Sequence, residues 1–297
     1  LPKGRVTMNK GLNRVSPYLF VFPSMLLFVW FGLIPIAWIV YLSFTDYSML
    51  QPPVWKGLDN YVRLLQDPLF AKAVGNTAWY WLGTVLPSMA IGLVLAVLMS
   101  MRLKLLPLFR ALIYLPGTLS SVAVAMTWLW LLDPSSGPVN RWLSFIGITG
   151  RNWLNSPDTS LASIIVIGIW TGIGFCMIVL LGGIQGISVS LYEAAALDGA
   201  SSLRQFFYIT IPLLKPMLLF LFIIATIRSF QVFDLVYILT GGGPANSSTT
   251  IVSQIVNASF QEYRMGYASA MAVFLLLVTL AVTLLQYWLG GRNSASD

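Results

Sequence analysis

Glu193-Ala-Ala-Ala-Leu-Asp-Gly-Ala-Ser-Ser-Leu-Arg-Gln-Phe-Phe-Tyr-Ile-Thr-Ile-Pro-Leu-Leu-Lys-Pro216 is a polar, helix-forming insert set between long apolar runs. Membrane chains usually close such gaps with a few loop residues. A structured insert therefore points to a docking surface for another protein. Two helix starts are legible in it. Ser190-Leu-Tyr-Glu193 reads as a capping box, in which the serine oxygen accepts from the Glu193 amide and the Glu193 carboxylate reaches back. Ala194, Ala195, Ala196 and Leu197 are strong helix formers, and Gly199 can take the positive φ that ends a helix. Ser202-Leu-Arg-Gln205 reads as a second capping box, opening a helix through Phe206 and Ile209. Pro212, which has no N–H, is expected to stop that helix. Small side chains at 194–196 and at Ala200 leave low relief that a partner can approach closely. The charges are mixed (Glu193, Asp198, Arg204, Lys215), which argues against a helix lying on lipid.

The rest of the chain is apolar. Of its 297 residues 57% are hydrophobic and 9% charged, against roughly 25% charged in soluble domains. Its mean hydropathy is +0.80. That is too little polar surface to coat a water-soluble globule, so the chain reads as all-α and integral to a membrane. Cys176 is alone, which excludes an intramolecular disulfide, and the absence of histidine excludes histidine-based metal or base chemistry. No metal site and no catalytic residue is expected. The net charge of +7 is not gathered in one patch, so no nucleic-acid partner is implied.

Six stretches supply the ~20 apolar residues a spanning helix needs, at about 17–43, 77–101, 111–132, 159–184, 217–240 and 266–290. They form one transmembrane domain, with a cytoplasmic loop at about 188–212 and outer loops at about 44–76, 133–158 and 241–265. The first stretch is too long for a signal-peptide core and is expected to stay as an anchor. Lys3, Arg5, Lys10, Arg14, Arg102, Lys104, Arg110, Arg204, Lys215 and Arg292 fall on one side, ten basic residues with three acids. Lys56, Arg63, Lys72, Arg141, Arg151 and Arg264 fall on the other, six with six acids. This bias puts both termini in the cytoplasm. Tyr41, Tyr47, Trp128, Trp130, Tyr287 and Trp288 stand near span ends, as in an aromatic belt.

Only Arg228 and Asp234 are charged within the spans, and a charge at that depth normally faces protein or water. On one continuous helix Arg228, Gln231 and Asp234 would form a slanted row, with Tyr237 continuing it and Phe233 beside it. The row can line a polar path, or pair with a helix of a neighbouring subunit. Gly168-x-x-x-Gly172 with Gly174 is a small-residue stripe suited to close helix packing. Pro23, Pro35, Pro87 and Pro116 are candidates for kinks.

The insert resembles the EAA motif of ABC-importer permeases, with Glu193, Ala194, Ala195, Asp198, Gly199, Ala200, Phe206, Ile209 and Pro212 in place. Ser188 departs from the pattern, since many relatives carry proline there. Gly57-Leu-Asp-Asn-Tyr61, Asp67-Pro-Leu-Phe70 and Asn76-Thr77 look like the first outer loop of sugar permeases. Ser229-Phe-Gln-Val-Phe-Asp-Leu-Val-Tyr237 and Leu239-Thr-Gly-Gly-Gly-Pro244 are similar to the fifth span of the maltose-type carbohydrate subfamily. The resemblance implies a type I importer fold in a bacterial or archaeal plasma membrane. It implies as partners a second permease, two ATP-binding subunits and an extracytoplasmic solute-binding protein, with a sugar as cargo. ATP and Mg would then sit on the partner ATPase. This chain has no G-x-x-x-x-G-K-[ST] phosphate loop, and Gly241-Gly-Gly-Pro244 reads as a flexible outer loop. Glu193, Ala194, Ala195, Asp198, Gly199, Ala200 and Phe206 are the expected ATPase-coupling residues. Arg228, Gln231, Phe233, Asp234 and Tyr237 offer the paired polar groups and aromatic faces a sugar needs. A glycerophosphate or other polar solute fits the same machinery, with Arg228 facing its charge. A self-sufficient secondary transporter would call for inverted repeats and more ionisable groups, and neither is visible.

Overall fold

The computed structural model describes residues 10–101 and 105–291. Lys3, Arg5, Arg102, Lys104 and Arg292, part of the basic count behind the orientation, lie outside these described residues. The first helix, α1, spans residues 10–43 and contains a π turn at Val29–Leu33. A short antiparallel ribbon follows, β1 (Thr45–Asp46) with β2 (Val54–Trp55), pairing Thr45 with Trp55. Then come α2 (Asp59–Gln66), α3 (Pro68–Met99), α4 (Leu106–Thr118), α5 (Ser121–Leu131), α6 (Pro138–Phe145) and α7 (Ser160–Gln185). The chain continues through α8 (Val189–Leu197), α9 (Ser202–Phe230), α10 (Asp234–Leu239), α11 (Ile251–Val256) and α12 (Met265–Gly291). Among the described residues five helices are long and apolar enough to cross a membrane, and a sixth span is reached if the bent pair α4 and α5 is counted as one.

Several boundaries correct the expectations. The third span is not one helix over 111–132. It breaks between α4 and α5 with a 97° bend, where Leu119 and Ser120 are extended. Pro116 and Gly117 are poor helix formers that weaken this end of α4. A Cβ on Gly117 would lie 2.7 Å from the Thr171 carbonyl, so the break is pressed against α7. The second span begins at Pro68 rather than 77, because Asp67 caps it. The fifth starts at Ser202 and ends at Phe230, so Pro212 does not stop it. Ile211 N donates to Phe206 O, five residues back, forming a π turn just before the proline. Ile34 N does the same to Val29 O ahead of Pro35. A turn widened by one residue makes room for a pyrrolidine ring that a regular α-turn would press against the carbonyl one turn earlier. The stretches expected to be outer loops carry the ribbon and the helices α2, α6 and α11.

The helix α7 is the centre of the bundle. Ile164, Ile167, Met177 and Leu180 on it are all but fully buried. Its glycines let neighbours close in. A Cβ at Gly168 would lie 2.6 Å from the Tyr80 hydroxyl, and at Gly174 it would lie 2.5 Å from Ile113 O and 2.7 Å from Tyr114 Cα. The small-residue stripe therefore packs as expected. The fully buried Thr226 on α9 ties three spans, its hydroxyl oxygen accepting from Trp81 Nε1 at 2.9 Å and from Gln286 Nε2 at 2.8 Å.

At the end of the bundle remote from the 188–212 loop, Leu64, Phe70, Ala73, Ile251 and Met271 join α2, α3, α11 and α12 in one apolar cluster. Asp67 locks it. One carboxylate oxygen accepts from Leu69 N at 2.8 Å and Phe70 N at 3.3 Å, and the other accepts from the Tyr267 hydroxyl at 2.6 Å. Partial burial raises the Asp67 pKa, but these hydrogen bonds outweigh it and hold the carboxyl below its ordinary value. A group with a depressed pKa stabilises the fold above its unfolded pKa of ~3.9, and that contribution is lost as pH falls through the folded value. Asp67→Ala is expected to cost about 1 kcal/mol for the lost cap. In detergent, the gap in unfolding temperature between wild type and variant should be widest near neutral pH and should close below about pH 4. A gap that persists in acid would show that the carboxylate charge is not involved.

The Gly241-Gly-Gly-Pro244 segment is tethered rather than free. Thr240 Oγ1 and Ser248 Oγ share a hydrogen bond at 2.8 Å, and Ser248 Oγ donates to Gly243 O. From α3, Lys72 Nζ donates to Ala245 O and Asn76 Nδ2 to Thr249 O.

Candidate functional site

The 188–212 segment forms a short helix, a tight turn and the start of α9. The expected capping boxes are displaced. The helix α8 begins at Val189, so Ser190 and Glu193 lie inside it; Ser190 Oγ pairs with Ser188 Oγ at 2.7 Å. Glu193 is exposed, and its carboxylate caps nothing among the described residues. The second cap is Ser201, not Ser202, with its oxygen accepting from Arg204 N at 3.4 Å. Ser188 and Ser201 hold the extended backbone a cap position needs, which the sequence pattern misplaced by one or two residues.

The turn behaves as expected. Gly199 has φ +77°. Its N–H donates to Ala196 O at 3.0 Å while Ala200 N donates to Ala195 O at 2.9 Å, which is a Schellman closure. Gln205 Nε2 donates across the turn to Ala200 O at 3.2 Å, and Tyr192 shares a 2.9 Å hydrogen bond with Thr210 Oγ1 at the base of α9. The two helices are thereby fixed to each other and to the fifth span. No residue of α8 is buried. Ala194, Asp198 and Gly199 are exposed with Glu193, whereas Ala195, Ala200 and Phe206 are half-buried. The sequence reading missed the apolar groups that the turn presents. Leu197 is 90% exposed and Leu203 70%, an unusual state for leucines in so short a segment. Their position either side of Gly199 was the available signal.

The second site is a cavity of about 330 Å³ within the bundle, walled by α3, the broken α4–α5 span, α7 and α9. The bend at 118–121 gives it room: Pro116, Gly117, Leu119 and Ser121 all line it. Seven hydroxyl-bearing residues, Tyr80, Thr84, Ser88, Tyr114, Ser121, Thr171 and Ser229, line the same space. Arg228 lines it too, with its guanidinium over the Phe175 ring, 4.6 Å from the centroid.

The slanted row expected on the fifth span is not formed. The helix ends at Phe230, Gln231 and Phe233 leave helical geometry, and α10 resumes at Asp234. Arg228 alone of the row lines the cavity. Gln231, Asp234 and Tyr237 are exposed elsewhere, and Phe233 stacks on Tyr237 at 5.1 Å. Asp234 instead occupies the first turn of α10, where a carboxylate suits the helix dipole. The residues that accompany Arg228 come from other spans. Gly168 and Gly172 of the small-residue stripe are among the lining, so the stripe serves the cavity as well as packing.

Residues 88–294 match the family described as the binding-protein-dependent transport system inner membrane component. This chain belongs to that family. Among its relatives, the probable ABC transporter permease protein YurN of Bacillus subtilis (strain 168) is 37% identical, over 92% of this chain and 95% of that one. The lactose transport system permease protein LacF of Rhizobium radiobacter is 36% identical, over 95% and 97%. A bacterial ABC transporter that imports the acidic polysaccharide alginate contains a chain of the same fold, with TM-score 0.84 and 28% identity over 95% of this chain and 98% of that one. The type I permease fold and the sugar-permease family read from the sequence are thus both borne out. The chain is an inner-membrane permease of a binding-protein-dependent ABC importer.

Proposed function

We propose that this chain forms half of the path of an ATP-driven sugar importer and is non-catalytic itself. A second permease would complete the path, two ATP-binding subunits carrying ATP and Mg would drive it, and an extracytoplasmic solute-binding protein would deliver the cargo. In this reading both termini and the 188–212 loop lie in the cytoplasm. The observation that carries the coupling role is the unburied helix α8, rigidly tied to the fifth span by Tyr192 and Gln205. A closing ATPase that grips this pair would move the fifth span with it. Ala194, Ala195 and Ala200 would give close approach, Glu193 and Asp198 polar contacts, and Phe206 would support the second helix from within. The cargo class follows the lactose and alginate transporters to which the chain is similar. A phosphate-bearing solute would use the same mechanism, and a secondary transporter would need none of these partners.

Affinity purification of the solubilised chain from its native membrane tests the assembly, with mass spectrometry of what accompanies it. A second permease, an ATPase and a sugar-binding protein are expected. The chain alone, transporting after reconstitution without ATP, would overturn the proposal. Leu197→Asp puts a charge at the most exposed apolar point of the turn. It is expected to weaken ATPase retention by about 2 kcal/mol or more, the loss typical of an interface hot spot, while the second permease still co-purifies.

A further inference from the structure

Arg228 is the one charged residue among those lining the cavity, and no aspartate or glutamate shares that lining. Among the described residues the only ion pair is Arg264 with Glu262, just before the start of α12. Arg228 makes no hydrogen bond to the described residues, and its guanidinium contacts the Phe175 ring. The guanidinium carbon lies 4.6 Å from the centroid of that ring, and its N–H fork matches a carboxylate or similar oxyanion. Among the other lining residues, the hydroxyls of Thr84, Thr171 and Ser229 are turned back onto helix carbonyls at 2.6–3.0 Å. Their oxygens remain free to accept. Tyr80, Ser88 and Tyr114 have hydroxyls with no hydrogen bond to the described residues, so they can donate or accept. Arg228 is exposed on the open side of a cavity otherwise lined by neutral residues, so it is the one charge a solute entering there would meet, and a neutral solute would leave it unpaired.

We infer that the solute passing through this cavity is an anionic sugar, with its carboxylate or sulfonate on Arg228 and its hydroxyls on the surrounding side chains. The inference rests on reading the cavity as the translocation path. A neutral sugar would leave the positive charge of Arg228 uncompensated at mid-path, whereas an anionic one removes it and is held in one orientation by the fork.

Cys176, the chain's single cysteine, lines the same cavity and serves as a reporter that does not require the cargo to be known. The intact assembly in nanodiscs is treated with sulfonatoethyl or trimethylammonioethyl methanethiosulfonate, and modification of this chain is followed by mass spectrometry. Corrected for the reagents' rates with a free thiol, the anionic reagent should react about tenfold faster, as expected for a charge several ångströms away in a wet, protein-walled site. The preference should vanish in Arg228→Gln and persist in Arg228→Lys. Millimolar glucuronate should slow the labelling while glucose at the same concentration should not. Where the buried Cys176 reacts with neither reagent, Ser121→Cys at the exposed rim gives the same comparison. Equal rates for the two reagents, or a preference unchanged in Arg228→Gln, overturn the inference, because a carboxylate of the neighbouring permease would then already neutralise Arg228. Failure of the importer reading is seen separately, as loss of the ATPase and second permease from the purified assembly.

Discussion

Gly199→Pro is expected to bring ATP-driven uptake to background while the chain still inserts and still pairs with a second permease. The Gly199 backbone stands at φ +77°, a conformation closed to proline, whose ring holds φ near −65°. Proline would also delete the N–H that Gly199 donates to Ala196 O, one half of the Schellman closure. The turn would open, and the two helices joined by Gln205 and Tyr192 would lose their fixed angle. A graded series separates backbone geometry from side-chain bulk, because nothing lies within 4 Å of a Cβ built on Gly199. Asparagine, which tolerates the left-handed region, should retain most uptake. Alanine should lose part of it, in line with the ~1–2 kcal/mol its side chain adds in that region. Uptake and ATP hydrolysis measured on the same reconstituted variants give the decision. Proline at normal uptake would remove this turn from the coupling route, and alanine worse than proline would point to bulk instead of φ.

How much of this was legible in the sequence depended on whether the signal was local. The six apolar stretches were, because a spanning helix must satisfy its own backbone and so must be continuous and apolar. The glycine turn was, because positive φ at the end of a helix has few chemical solutions. Helix ends were less so: Asp67 and Ser201 perform the capping, and both have other serines, asparagines or acids nearby that fit the same pattern. Pro212 was misread because its missing donor was weighed without the π turn that accommodates it. The broken third span was hidden by unbroken hydropathy through 106–132, with Pro116-Gly117 its only mark. The row Arg228, Gln231, Asp234 and Tyr237 assumed a helix that continues, and no proline or glycine announces the break after Phe230. The cavity was out of reach for a different reason. Its walls are assembled from four spans, so Phe175, Ser88 and Thr171 come to share a space with Arg228 only through tertiary packing that no periodicity encodes.

Gly174→Leu should have the largest effect on the fold itself. Its Cβ would meet Ile113 O at 2.5 Å and Tyr114 Cα at 2.7 Å, both backbone atoms of α4 that no rotamer change can move. The helix α4 must then separate from α7, which opens the contact that supports the bend into α5. Overpacking of this kind costs about 3 kcal/mol or more, and here the displaced element is also a wall of the cavity. Gly182 on the same helix has no atom within 4 Å of a built Cβ, so Gly182→Leu carries the same change in hydrophobicity and helix propensity without the clash. The expected result is a loss of monodisperse protein and a large fall in unfolding temperature for Gly174→Leu, with Gly182→Leu close to wild type. Tyr114 lines the same cavity as Phe175 and Cys176, so any folded fraction of Gly174→Leu should also lose the charge preference at Cys176. Equal behaviour of the two leucine variants would mean that α4 and α7 are not in close contact. The cavity, which depends on that contact for its shape, would then have to be built another way.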